Sequence, residues 1–322
     1  MPLHKAVAWA PCLIALVSPC LGSAQDYPNK LIRLVVPYAP GGGSDIGARL
    51  LGAKLAESLR QQVVIENRPG AGTNIGNEYV AKAAADGYTL LYASPSLTVN
   101  MSLYKKLNFD AIRDFAPISV FTGAPNILVV SSSFSGKSVK ELIALARAQP
   151  GTMDYSSAGN GSSQHLAGEL FKLNTGLNIA HIPFKGTAPS LTSLVGGEVA
   201  MSFANIAAIT QFVKAGRLKG LATTGPKRAE QMPELPTLRE AGVDMEVTVW
   251  YGVLAPAATP TEIINKLADA VSKIAHLAEM VQRLADLGAE PVGNTPEQFS
   301  KQLRDEVVLW AKVVKAAGMQ AD

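Results

Sequence analysis

The chain has 322 residues, 48% of them hydrophobic and 17% charged, which is the balance of a soluble globular protein rather than a disordered, fibrous or multi-span membrane one. At this length two domains, each with its own core, are expected. Basic residues outnumber acidic ones by only 29 to 26, and no polybasic run occurs, so the charge carries no nucleic-acid footprint.

The N-terminus reads as a secretory signal peptide. Lys5 gives a thin positive region, Ala6 to Leu21 is apolar and uncharged, and Gly22-Ser23-Ala24 supplies small residues for cleavage before Gln25. A transmembrane anchor is the competing reading, but the stretch is short and broken by Pro11 and Pro19. Both cysteines, Cys12 and Cys20, fall within residues 1–24. The chain is therefore expected to be exported and, once mature, to lack disulfides and thiol chemistry. Pro19 stands where a lipoprotein would have a small residue before Cys20, which argues against lipidation.

From there, short β-branched runs alternate with longer helical patterns. Strands are expected at 31–38, 63–66 and 89–93, with helices at 44–59 and 74–84 between them. The run 126–130 (NILVV) is another strand. Ser138-Val139-Lys140-Glu141 has the form of a capping box opening a helix to about Gln149. Strands then fall at 154–156, 179–182, 200–203 and 218–223, and helices at 162–174, 188–194 and 206–215. Repeated β-then-α order implies parallel sheets with helices on both faces. The C-terminal part is mostly helical. Thr259-Pro260-Thr261-Glu262 and Thr295-Pro296-Glu297-Gln298 both look like capping boxes with an early proline, and Gly288 and Gly318 are expected helix stops.

Two extended apolar segments, 117–130 and 246–254, lack a βα partner. If both cross between lobes, the middle of the chain forms one domain and the two ends form the other. The expected division is a signal peptide at 1–24, one lobe from 25–125 plus 248–322, and a second from 126–247. The competing architecture is one large doubly wound sheet.

Two loops could carry chemistry. Pro37-Tyr38-Ala39-Pro40-Gly41-Gly42-Gly43-Ser44-Asp45 follows the first strand and opens the first helix. Its glycines permit close backbone approach, and the helix start offers unpaired N–H groups and partial positive charge, a ready anion site. No Gly-Lys-Ser/Thr and no GxGxxG is present, so it is neither a P-loop nor a dinucleotide fingerprint. The plainer reading is a tight turn in which Ser44 or Asp45 stabilises the helix start. The second loop, Ser156 to His165, repeats the same physics in the other presumed lobe: glycines, small hydroxyls and a helix start. Two helix N-termini facing each other across a cleft suit a ligand with carboxylates, at the carboxyl ends of the strands.

Ser162 or Ser163 with His165 also invites a hydrolase reading. Gly-x-Ser-x-Gly is absent, however, and no acid is placed to orient His165, whose plainer role is to contact its own loop. The mature histidines, His165, His181 and His276, have no metal-ligand spacing, so no metal is expected. Trp250 and Tyr251 could wall the cleft. Lys185, which follows Phe184 in the segment His181 to Thr187, is read as the basic residue close to these loops, and no arginine clamp is evident.

Eight segments in order give a specific resemblance: Pro40 to Asp45 (PGGGSD), Asn67 to Gly72 (NRPGAG), Asp86 to Leu90 (DGYTL), Tyr155 to Ser162 (YSSAGNGS) with His165-Leu166, His181 to Gly186 (HIPFKG), Leu235 to Gly242 (LPTLREAG), Trp250 to Pro256 (WYGVLAP) and Thr295 to Phe299 (TPEQF). Through them the chain resembles, along essentially its whole mature length, the receptors of tripartite tricarboxylate transporters, also called Bug proteins. The resemblance implies a periplasmic-binding-protein fold of the Venus-flytrap, type II-like kind, α/β, with two lobes joined by two crossing strands. It implies capture of a small carboxylate for an integral membrane permease, with no catalysis, no cofactor and no nucleic acid. A monomer is expected. The implied ligand-binding set is Tyr38, Gly42, Gly43, Ser44, Asp45, Ser94, Gly161, Ser162, His165, Phe184, Lys185 and Asn205. Ala204 and Phe184 stand where the family often has an acid and a tyrosine. Those two changes disfavour an amino-acid ligand and favour a di- or tricarboxylate or an aromatic acid. A sensor that serves a membrane kinase would share all these features, and the sequence does not separate it from a transport receptor.

Overall fold

The computed structural model describes residues 27–38, 40–41, 43–159, 161–184 and 187–319. The signal segment, its cysteines, Gly42 and Lys185 lie outside the described residues.

The first sheet is built from β1 (Ile32–Val36), β2 (Val63–Asn67) and β3 (Thr89–Ala93), which run parallel in the order β2-β1-β3. The crossovers contain α1 (Gly43–Leu59) and α2 (Asn74–Ala81). After α3 (Ser96–Leu103) comes β4 (Phe115–Ser131), a strand of 17 residues. The second sheet holds β5 (Asp154–Ser157), β6 (Ala180–Pro183), β7 (Met201–Asn205) and β8 (Leu218–Thr223), with α4 (Val139–Ala148) leading into β5 and α5 (Ser163–Thr175), α6 (Thr187–Gly196) and α7 (Ile206–Lys214) between the strands. The chain returns through β9 (Thr248–Pro256) and ends in α8 (Thr261–Ala275), α9 (Ala278–Asp286), the short β10 (Glu290–Pro291) and α10 (Pro296–Ala316).

β4 belongs to both sheets. Residues 115–125 pair antiparallel with β9, which in turn pairs with β3, while residues 126–131 pair with β7 and β8. Proline cannot donate to a ladder, and the register slips beside Pro117. At the switch from one sheet to the other, buried Thr224 supplies the missing partners. Its N–H donates to the Asn126 carbonyl (2.8 Å), its Oγ1 accepts from the Asn126 N–H (3.0 Å), and its hydroxyl donates to the Val247 carbonyl (2.6 Å). The two crossing strands are thus stitched together where the chain changes lobes, and the backbone groups there stay satisfied.

Two α/β lobes joined by two crossing strands is the architecture expected from the sequence. Each lobe has its own apolar clusters. Leu34, Leu51, Tyr92 and Val253 pack in one lobe, and Leu128, Phe171, Phe203 and Leu221 in the other. α10 serves both: Phe299 and Leu303 join a cluster of the first lobe, and Trp310, Val313 and Val314 join the core of the second. Its 21 residues span about 31 Å, enough to strut both lobes behind the crossing strands.

The helix ends correct two local expectations and match the others. Thr295 and Gln298 form a complete capping box. At α4 only half of the box forms: Ser138 accepts from Glu141 N–H, but the Glu141 carboxylate reaches Lys137 N–H instead of Ser138. Thr259 caps nothing, since its hydroxyl donates to the Pro256 carbonyl, and Pro260 takes the N-cap position of α8. Gly288 and Gly318 do adopt left-handed conformations after α9 and α10.

Candidate functional site

The first glycine loop is braced from beneath by Asp45. The side chain is 4% exposed and takes three hydrogen bonds. Oδ2 accepts from Gly41 N–H (2.9 Å) and Arg49 Nε (2.9 Å), and Oδ1 accepts from Asn67 Nδ2 (2.9 Å). These bonds, Arg49's foremost, hold the Asp45 carboxyl down at about 2. Asn67 also donates to the Tyr38 carbonyl, so the end of β2 fixes the loop after β1.

In the second loop, Ser162 is the N-cap of α5, and its Oγ accepts from His165 N–H (3.3 Å). The His165 ring turns back on its own loop, where Nδ1 accepts from Gly161 N–H (3.1 Å). It stacks on His181 at 3.8 Å with 7° between the planes, and His181 stacks on Tyr155. Burial pushes both imidazoles down, His181 to about 4 with His165 adding to the effect, so both are neutral at pH 7. His165 is thus committed to the backbone and to ring stacking, so Ser162 and His165 form no nucleophile–base pair; the serine–histidine hydrogen bond of this cluster joins Ser157 Oγ to His181 Nε2 at 2.7 Å. Gly159 has φ 124°, and a Cβ there would lie 3.2 Å from the Phe184 carbonyl. Phe184 donates its N–H to Ser157 and packs into the apolar cluster beside β7.

Between the loops lie two cavities that share Ser163, Val249 and Tyr251 as their common wall. One, of about 340 Å³, is rich in hydroxyl groups. The Tyr38 hydroxyl lies 2.5 Å from Ser94 Oγ and 3.1 Å from Ser96 Oγ, Ser96 contacts Thr73, and Gly161 and Ser162 close the other side. The other cavity, of about 320 Å³, is bounded by Gly43, Tyr92, Asn126, Gln164, Thr187 and Asn205, with Leu284 and Leu287 at its apolar end. Four helices begin at this second cavity. Gly43 opens α1, Ser163 and Gln164 open α5, Thr187 opens α6, and Asn205 immediately precedes α7. The first turn of a helix carries unpaired N–H groups and partial positive charge, so four such turns lie at the wall of this cavity. Among the described residues, neither cavity is lined by a charged side chain. A cluster of three or more His, Cys, Asp or Glu able to hold a metal is likewise absent among them.

Of the residues singled out from the sequence, Tyr38, Ser94, Gly161 and Ser162 come together in the first cavity, and Gly43 and Asn205 in the second. Ser44, Asp45, His165 and Phe184 line neither: Asp45 and His165 hold the loops, Phe184 packs into an apolar cluster, and the buried Ser44 hydroxyl has no partner within the protein. Thr73, Tyr92, Ser96, Asn126 and Gln164 were not anticipated. Asn126 had a visible signal, a polar residue heading the apolar run NILVV.

A cleft between two α/β lobes, walled by crossing strands and faced by helix N-termini, defines a solute-binding receptor. Residues 47–319 match the tripartite tricarboxylate transporter family receptor, and the chain belongs to that family. Members of this family are periplasmic receptors that work with membrane transporter components, and they are not enzymes. Protein BugT of Bordetella pertussis is 38% identical over 299 residues, covering 92% of each chain. An R. palustris protein solved with adipate is 39% identical, with a TM-score of 0.76 over 92% of this chain and 99% of that one. MatC from Rhodopseudomonas palustris, solved with bound malate, is 31% identical, with a TM-score of 0.72 over 89% and 100% of the two chains. No helix among the described residues is long and apolar enough to cross a membrane.

Proposed function

We propose that this chain captures a small carboxylate in the interlobe cleft and delivers it to an integral membrane permease, as a monomer cleaved after Ala24. The observation that carries this reading is the convergence of four helix N-termini on a cavity, between the two glycine loops, that no charged side chain lines among the described residues. A carboxylate there gains the helix-terminal charge and charge-assisted hydrogen bonds without a basic side chain. The adipate and malate held by two relatives point to the same ligand class for this chain. Ala204 leaves no carboxylate at its position to receive an ammonium group, which favours a carboxylic acid over an amino acid. We assign residues 25–125 and 248–322 to one lobe and 126–247 to the other. The change of sheet at Pro125/Asn126 and the start of β9 at Thr248 support those boundaries.

A thermal-shift screen of the mature protein against mono-, di- and tricarboxylates, aromatic acids and amino acids tests the reading. A ligand at 100 times its dissociation constant adds about 2.7 kcal/mol of stability. Calorimetric titration of Gly43→Pro and Ser162→Ala then probes the two loops, with Lys185→Met for comparison. Losing one charge-assisted bond weakens binding about 10- to 150-fold. If only Lys185→Met abolishes binding, recognition rests on that cation and the two-loop pincer is wrong.

A further inference from the structure

Among the described residues, six buried side-chain polar atoms find no hydrogen-bond partner within the protein. Three of them, Tyr92 OH, Asn126 Nδ2 and Gln164 Oε1, belong to residues that line one cavity, the one at which four helices begin. The three residues are 0%, 1% and 4% exposed and come from different elements: β3, the point where β4 changes sheets, and the first turn of α5. Burying an unpaired polar group is unfavourable, so three around one cavity mark where an external partner sits.

The chemistry of the three is unequal. The Asn126 backbone is engaged with Thr224 and Asn205, which leaves its amide Nδ2 as a donor. The Tyr92 hydroxyl lies under the first turns of α1, where a Cβ at Gly47 would come within 2.7 Å of it. Its ring stacks on Tyr251 at 5.6 Å, which fixes its direction. Gln164 spends its Nε2 on Thr187 Oγ1 (3.4 Å), so Oε1 can only accept. One donor, one hydroxyl and one obligate acceptor therefore belong to residues lining a cavity whose four helix starts favour negative charge. A carboxylate satisfies the first two but cannot satisfy Gln164; a hydroxyl on a neighbouring carbon can.

We propose that Tyr92, Asn126 and Gln164 form a specificity pocket selecting hydroxycarboxylates over the same acids without the hydroxyl. The proposal rests on the carboxylate-receptor reading and goes further by naming the ligand class. Asn126 and Tyr92 hold the carboxylate, and Gln164 Oε1 receives the hydroxyl hydrogen. Asn126 sits where the chain passes between lobes, so it reads the ligand from the hinge itself.

The test is calorimetric titration with matched pairs: lactate and propionate, malate and succinate, 2-hydroxyglutarate and glutarate. In the parent, the hydroxylated member of each binding pair is expected to bind about fivefold or more tightly. Gln164→Leu is expected to collapse that ratio to near one, whatever its effect on absolute affinity. Tyr92→Phe, which removes one oxygen and keeps the stacked ring, should weaken both members of a pair while preserving the ratio. Should Gln164→Leu fail to fold, the parent's ratio and Tyr92→Phe still decide. Equal affinity within pairs overturns the selection but leaves the receptor reading intact; it means the Gln164 amide is turned so that three donors face the ligand. A ratio that survives Gln164→Leu also overturns it, as does binding confined to acids outside these pairs. If no carboxylate of any kind binds, the receptor reading fails and takes this proposal with it.

Discussion

Replacing Asp45 by asparagine tests whether the first glycine loop is held by one carboxylate. Oδ2 serves Gly41 N–H and Arg49 together, and Oδ1 serves Asn67. An asparagine has only one oxygen. Whichever way it turns, an NH₂ group faces a donor, and either the Asn67 bond or the Gly41 and Arg49 bonds are lost. A hydrogen bond to a charged group is worth about 1.5–3 kcal/mol. A carboxyl held from 3.8 down to about 2 contributes about 2 kcal/mol near neutral pH, and screening at half-exposed Arg49 lowers this to about 1–2. The two routes agree on a loss of about 2 kcal/mol for Asp45→Asn, or about 4–8 °C in melting temperature. The sign follows from the lowered value: the contribution is fully present above 3.8 and disappears as pH falls through about 2. Urea unfolding of both proteins across this range should show a gap that closes toward pH 2. Equal stability at pH 7, or a gap that does not change with pH, would refute the account.

Three further outcomes are expected. Gly168→Ala puts its Cβ into the Tyr155 ring beneath the His165–His181 stack, so urea unfolding should register a loss of about 1–3 kcal/mol from overpacking. His181 is held down at about 4 by burial and by His165, with Glu169 opposing and Lys172 adding, so its contribution is complete above 6.5 and lost as pH falls toward 4. His181→Gln should flatten the stability profile between those values, and an unchanged slope would show that the histidine stack does not titrate there. Two lobes on crossing strands should close around a ligand, so small-angle scattering at saturation should give a smaller radius of gyration than the free protein.

How much of this could be read from the sequence depends on how local the cause is. Alternating runs and helix starts act over a few residues, so β3 (Thr89–Ala93) and β8 (Leu218–Thr223) match the expected bounds, and the glycine loops were recognisable as helix starts. The two unpartnered apolar runs betrayed the crossing strands for the same reason: a strand buried between two neighbours has no polar face to show. α3 escaped because it is wrapped on all sides. Leu97, Thr98, Val99 and Asn100 are buried in succession, so it carries no amphipathic period. The fate of each polar group was a tertiary decision. Asp45 and His165 sit in loops that look poised for ligand, but partners from distant segments, Asn67 and His181, turn them to structural use. Tyr92, Asn126 and Gln164 are ordinary in sequence, and only the meeting of β3, β4 and α5 brings them to one cavity. The sequence by itself determined most of the strands and which loops open helices, and through its family resemblance it implied a two-lobed receptor. Which hydrogen-bonding atoms are left over to meet a ligand was decided by the tertiary structure, because that is a property of pairings between residues far apart in the chain.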